Sequence, residues 1–189
     1  WVRLDDICYQ ITDGTHRTPT YVDVGVPFLS VKNISSGFID FDNTRFITKE
    51  EHEELIKRCH PEFGDILLTK IGTTGIAKVV NTRREFSIFV SVALLKFDTE
   101  RVYSPFLEYV INSPFVKQQS EDNTMGVGNQ NLVLKYIRNF SVPFPPLAEQ
   151  QRIVAKVKQL LGLCDALAAE AAAAETVRTR LLAAVVNGG

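Results

Sequence analysis

Cysteine is scarce in this 189-residue chain, and the three present, Cys8, Cys59 and Cys164, lie far apart and form no CxxC pair. A disulfide framework is therefore excluded. Of the three histidines only His60 adjoins a cysteine, so no zinc-ligand spacing exists, and structural or free thiols with no metal are expected. Charge of one sign is also missing: 21 Lys and Arg face 22 Asp and Glu, for a net charge of −1. No global basic field announces a nucleic-acid partner, although a neutral chain can still carry one positive face. No apolar run approaches the ~18 residues of a membrane span, and the first twenty residues, with Asp5, Asp6 and Asp13, contain no signal-peptide core. A cytoplasmic protein is the default expectation. The chain opens on Trp1 rather than Met, which leaves an upstream segment open.

What is present is the composition of a globular protein, with 45% hydrophobic, 10% aromatic and 23% charged residues. The length suits one domain plus an appended element. Two regions of different character meet at Pro143-Phe144-Pro145-Pro146; beyond it no proline occurs, and Ala and Leu dominate. Residues 1–146 are expected to form one domain and residues 147–189 a helical region. In the first region, Val26–Val31, Arg45–Ile47, Asp65–Thr69, Ile76–Val80 and Ser87–Phe97 are rich in Val, Ile and Phe and read as strands. Thr48 followed by Glu51 reads as a capping box opening one helix, and Ser104-Pro105 opens another with Phe106, Val110 and Ile111 on one side. A shorter helix is expected around Leu132–Ile137. Strands and helices in no regular βαβ alternation predict an α+β domain.

The C-terminal region carries the strongest period. Ile153, Val157, Leu160, Cys164, Leu167, Ala171, Ala174, Arg178, Leu181 and Val185 follow a strict 4-3 spacing, apolar except at Arg178. A helix from 147 to 187, started by Pro146 and stopped by Gly188, runs ~60 Å at 1.5 Å per residue. The preceding domain would be roughly 30–35 Å across, so part of the stripe needs another chain. Gly162, the one candidate break, costs only about 1 kcal/mol against Ala. The alanines at 168, 169, 171–174, 183 and 184 favour a tight helix pair, antiparallel in the simplest form.

Catalytic patterns are missing. Gly72-Thr73-Thr74-Gly75 and Gly126-Val127-Gly128 match neither GxGxxG nor the Walker pattern and read as turns; Asn129-Gln130-Asn131 follows as a polar tip. There is no GxSxG, no HExxH, no methyltransferase Asn- or Asp-Pro-Pro-aromatic motif and no nuclease carboxylate cluster with Glu-x-Lys. Glu50, Glu51, Glu53 and Glu54 read as a solvated helix face. A non-enzymatic binding module without a cofactor is favoured.

The segment Pro145-Pro146-Leu147-Ala148-Glu149-Gln150-Gln151-Arg152-Ile153-Val154 resembles the start of the helical region in specificity subunits of type I restriction-modification systems. Asp13-Gly14-Thr15-His16 with Pro19, Pro27-Phe28-Leu29-Ser30-Val31 with Asn33-Ile34, Gly64-Asp65-Ile66-Leu67-Leu68-Thr69 with Gly72 and Gly75, and Asn129-Gln130-Asn131-Leu132 continue the likeness in order, over nearly the whole chain. The family resemblance implies a target-recognition domain without catalysis of its own. It would direct methyltransferase subunits, and through them a restriction subunit, to a bipartite site on double-stranded DNA. Such subunits carry two recognition domains with their helices paired antiparallel, whereas this sequence holds one half. A homodimer, or one half of a tandem subunit, is implied. The rival reading is a protein-binding scaffold that dimerises through its helix and touches no DNA.

Family members read different sequences through a shared scaffold, so residues in shared motifs are expected at turns or phosphates and base readers between them. Thr15, Lys32, Thr69, Lys70, Thr73 and Thr74 are the phosphate candidates. Arg17, Asn43, Arg83, Arg84, Gln118, Gln119, Asn123, Asn129 and Gln130 are the base-edge candidates, by side-chain type and expected loop position. His16 is a candidate either for DNA contact or for pinning its own loop.

Overall fold

The computed structural model describes residues 1–126 and 130–187, with side chains up to Thr179 apart from Val177. In chain order the elements are β1 (Val2–Arg3), α1 (Leu4–Ile7), β2 (Cys8–Asp13), β3 (Tyr21–Val22), β4 (Val26–Leu29), a 3-10 turn at Val31–Asn33, β5 (Arg45–Ile47), α2 (Lys49–Ile56), β6 (Ile66–Thr69) and β7 (Ala77–Val79). Then come β8 (Ser87–Ile88), β9 (Val92–Phe97), α3 (Ser104–Ile111), α4 (Pro114–Asp122), β10 (Thr124–Met125), β11 (Asn131–Leu132), α5 (Leu134–Arg138), β12 (Ser141–Val142) and α6 (Leu147–Asn187). The expected α+β class is borne out, with a long C-terminal helix. By internal contacts the chain divides into Trp1–Gln150 and Gln151–Gly189. No helix of the described residues is long and apolar enough to cross a membrane.

Two four-stranded sheets build the first unit, one antiparallel in the order β2-β9-β6-β7 and one mixed in the order β3-β5-β4-β8. Every residue of β6 and β9 is buried, which is why both read as nearly unbroken apolar runs rather than as alternating ones. Their register sets Leu67 opposite Leu94 and Ile66 opposite Leu95. One core cluster draws on both sheets: Leu29 and Ile88 from the mixed sheet, Leu67, Val92 and Leu94 from the antiparallel one, with Cys59, Val80 and Phe86 from the connections. Lys96 is the polar residue of β9, and it is tolerated because its ammonium bonds the Asp65 carboxylate at 2.6 Å and Glu62 at 2.7 Å.

Four sequence expectations are corrected. The run Ser87–Phe97 is not one strand: β8 pairs with β4 in one sheet and β9 with β6 in the other, and the chain turns between them at Phe89–Ser91. Phe89 and Val90 have strand composition throughout, so nothing local marks the crossing. The capping box of α2 is half formed. The Thr48 hydroxyl accepts the Glu51 N–H at 3.2 Å, but the Glu51 carboxylate accepts the Thr20 N–H and so ties the 15–20 loop to the helix. In α3 the cap position is Tyr103, and the Ser104 hydroxyl instead donates to the Gly64 carbonyl at 2.7 Å. The last correction concerns β2, which the sequence reading passed over although it is the edge strand of the antiparallel sheet. A register shift between Cys8 and Gln10 breaks its alternation, and it ends on a buried Asp.

Gln150 gives the Pro-Pro-Leu-Ala-Glu-Gln segment a mechanical meaning. Fully buried, its side-chain oxygen accepts the Tyr103 N–H at 2.8 Å while its amide donates to the Arg101 and Pro145 carbonyls at 2.9 Å each. The first turn of α6 is thereby fixed to the loop entering α3. The remainder of α6 continues as one helix through Gly162, and the described residues from Lys158 to Thr179 are exposed. Gly188 lies outside the described residues.

Candidate nucleic-acid interface

Asp13, at the end of β2, is buried, and three side chains converge on it. Its carboxylate meets Lys70 Nζ at 3.3 Å, His16 Nε2 at 3.2 Å and Arg58 Nη2 at 3.4 Å, while the same guanidinium donates to the Asp13 and Gly14 carbonyls. Gly14 must follow, because a Cβ there would stand 1.9 Å from the Ile88 carbonyl oxygen. The Asp-Gly-Thr-His segment is thus a clamp between β2, the 58 region and β8. The His16 contact with Asp13 is of the kind its loop-pinning role would use, and the ring is exposed, as its DNA-contact role would need. Thr15 and Arg17 form a short turn, with the Thr15 hydroxyl accepting the Arg17 N–H at 3.2 Å. They line a cleft of about 340 Å³ with Glu54, Arg58 and Ser87.

A larger cleft, about 470 Å³, opens where several segments meet. Tyr21, Phe28 and Phe89 supply aromatic wall, the 3-10 turn supplies Lys32, the end of the 40–43 loop supplies Asn43, β5 supplies Arg45, and the turn after Lys70 supplies Ile71 and Gly72. Gly72 and Gly75 have φ of +83° and +80°, a backbone conformation that L side chains rarely adopt, so the turn reading of these glycines holds. This turn carries the exposed Thr73 and is tied to the 124–132 hairpin. Gly72 N–H donates to the Gln130 carbonyl at 2.9 Å, and the Thr74 and Thr124 hydroxyls lie 3.2 Å apart. Lys32, Asn43, Thr73, Thr74 and Gln130 are therefore brought into neighbouring segments. Asn129 lies outside the described residues.

Other candidates are placed elsewhere. Thr69 is fully buried, its hydroxyl accepting the Ile76 N–H at 3.0 Å, and Lys70 is buried against Asp13; neither is available to a phosphate, which corrects that expectation. Gln118, Gln119 and Asn123 are not on a loop as expected. The first two lie on α4 and Asn123 ends it. Gln119 uses both ends of its amide on the Ser141 backbone, Gln118 bonds Asp122, and Asn123 donates to the Gln119 carbonyl. Arg83 and Arg84 are exposed, with guanidinium carbons 5.2 Å and 5.1 Å from the centroids of Phe63 and Phe41, at a separate cleft of about 240 Å³. The sequence reading missed Arg45 because it was assigned to a strand. No strand periodicity marks it, since burial rises steadily from exposed Arg45 through half-buried Phe46 to buried Ile47.

On α6, Ile153 and Val157 are half-buried, and Leu160, Cys164, Leu167, Ala171, Ala174 and Arg178 are exposed; the side chains of Leu181 and Val185 lie outside the described residues. Arg178, the one polar position in the stripe, pairs with Glu175 at 2.8 Å. Cys8 and Cys59 are buried free thiols, both pushed up to about 12 by desolvation, and Cys164 is an exposed free thiol. Among the described residues no group of three or more His, Cys, Asp or Glu could hold a metal ion.

These features define an α+β domain with exposed cations at its clefts and with a long apolar-striped helix following it. The chain belongs to the family described as type I restriction modification DNA specificity domain, whose model matches residues 1–174. It is 29% identical over 161 residues to the type I restriction enzyme EcoBI specificity subunit of Escherichia coli, covering 85% of this chain and 33% of that protein. Against the EcoKI specificity subunit of Escherichia coli strain K12 it is 22% identical over 174 residues, covering 88% and 37%. The chain thus spans about a third of the length of these relatives. Among solved structures, its fold resembles the HsdS subunit from Thermoanaerobacter tengcongensis at a TM-score of 0.63 and 21% identity, covering 88% of this chain and 43% of that one. It also resembles the S subunit of a type I restriction-modification system from M. genitalium, at a TM-score of 0.59 and 14% identity, covering 89% and 40%.

Proposed function

We propose that this chain is the DNA-reading half of a type I specificity subunit, acting in the cytoplasm without catalysis of its own. Residues 1–146 recognise one part of a bipartite site on double-stranded DNA. Residues 147–189 pair with a second helix, from another copy or from the other half of a tandem subunit. Methyltransferase subunits, and through them a restriction subunit, are directed to that site. The observation that carries this reading is the family match across residues 1–174, which includes both the recognition domain and most of the helix. Exposed cations support it: no acceptor among the described residues takes a side-chain N–H from Lys32, Arg45 or Arg17. Thr15, Lys32, Thr73 and Thr74 remain the proposed phosphate contacts, and Arg17, Asn43, Arg83, Arg84 and Gln130 the proposed base contacts.

The test is a duplex-binding titration across salt, with the chain alone and with type I methyltransferase subunits added. Neutralising phosphates releases counterions, so log affinity should fall linearly with log salt. Absence of duplex binding in both forms at low salt would remove the DNA reading in favour of a protein-binding scaffold.

A further inference from the structure

The arginines of residues 1–146 are not alike. Arg3 and Arg138 are held by the carboxylates of Asp6 and Asp5, and Arg58 is spent on the Asp13 clamp. Arg45 has no such partner. Its guanidinium carbon lies 4.4 Å from the Tyr21 ring centroid, and no acceptor among the described residues takes any of its side-chain N–H groups. The placement comes from the sheet. Tyr21 pairs with Ile47, so Arg45 is its diagonal cross-strand neighbour, and β3 is the edge strand. Arg45 also faces the 470 Å³ cleft that Lys32 and Asn43 share. The Asp40 carboxylate accepts from the Asp42 and Asn43 N–H groups and from the Asn43 amide, and it forms no ion pair with Arg45 among the described residues.

We infer that Arg45 is a specificity-determining residue that reads a guanine, with Tyr21 as its positioning residue; this rests on the DNA-reading proposal above. A guanidinium presents a flat fork of donors that matches the O6 and N7 acceptors of guanine in the major groove. Stacking on an aromatic ring restricts the fork to one plane before DNA arrives, and a bidentate contact gains from that pre-organisation. Lysine keeps the charge but is a swinging point donor, sufficient for phosphate and not for the base edge. Lys32, free and on the same cleft, is suited to the adjoining phosphate.

The test is selection from a randomised duplex library, using whichever form of the protein, alone or with methyltransferase subunits, binds DNA in the salt titration. The natural chain should select a motif containing guanine at one position. Arg45→Lys should keep overall duplex affinity within a few-fold while losing roughly ten- to hundredfold preference at that one position. Tyr21→Phe, which keeps the ring, should retain the preference, and Tyr21→Leu should weaken it at the same position. Matching melting temperatures across the variants confirm that all are folded. If Arg45→Lys selects the natural motif unchanged, or loses affinity for all sequences alike, Arg45 is a phosphate contact and the inference falls while the DNA reading stands. If the natural chain selects no motif at all, the DNA reading itself falls and takes this inference with it.

Discussion

Lys70 illustrates how a cation beside a glycine-rich turn can be structural. Its ammonium is buried against Asp13, so Lys70→Ala would leave a buried carboxylate with only Arg58 and His16. Removing one partner of a buried pair costs about 3–5 kcal/mol. We predict a large fall in the urea midpoint for Lys70→Ala. Unchanged stability with weakened DNA binding would show that the lysine faces outward. Residue type alone could not separate Lys70 from Lys32, since which of them faces an acid is decided by strands far apart in sequence. Turn chemistry was legible, because Gly72 and Gly75 are demanded locally by positive φ. The thiols provide a second check at this scale. Burial holds Cys8 and Cys59 protonated at neutral pH, so alkylation of the folded chain should spare both and label them only after denaturation. Native labelling of Cys59 would contradict the core assignment. His52 gives a third. Its Nδ1 bonds the Ser87 hydroxyl at 2.8 Å, and burial lowers its pKa from the usual 6.5, reinforced by His60 and opposed by Glu85 and Glu53. As pH falls through about 6.5 the unfolded chain takes up a proton that the folded chain resists, so stability present above that value is lost below it. The urea midpoint should fall more steeply between about pH 7.5 and pH 5.5 for the natural chain than for His52→Gln; equal slopes would contradict this.

Elements with local signatures were readable, and elements defined by pairing were not. The cap at Thr48, the Pro-led start of α3 and the heptad stripe of α6 each announce themselves within one or two turns. Thr48→Ala should cost about 1 kcal/mol of stability, measured by chemical denaturation, because it removes the acceptor of the Glu51 N–H. By contrast β1 and β12, two residues each, exist only through pairing with one another, and α4 buries only Val116 and Ser120 under a polar face. No periodicity signals such elements. In α6, Leu160 and Leu167 are 50% and 65% exposed, a surface that water tolerates poorly along a helix of this length. We predict that the chain is dimeric at micromolar concentration by light scattering and that Leu160→Asp with Leu167→Asp is monomeric. A monomeric natural chain would assign the stripe to a different partner.

Whole-molecule behaviour depends on whether the second helix of the proposed pair comes from an identical chain. An antiparallel helix pair has a two-fold axis, so both recognition domains would offer the same surface to opposite strands. For such a homodimer the DNA site would be two inverted half-sites around unread base pairs; a tandem partner would give two unrelated half-sites. Non-catalysis is testable at the same scale: calorimetry of the isolated chain should show no binding of S-adenosylmethionine, and measurable binding would overturn that assignment. The central claim is that this chain selects a DNA sequence for a methyltransferase, and mapping methylated bases across the source genome with and without the gene tests it most directly. The account predicts that one interrupted methylation motif disappears when the gene is removed, a palindromic one if two identical chains pair. An unchanged methylation pattern would contradict it.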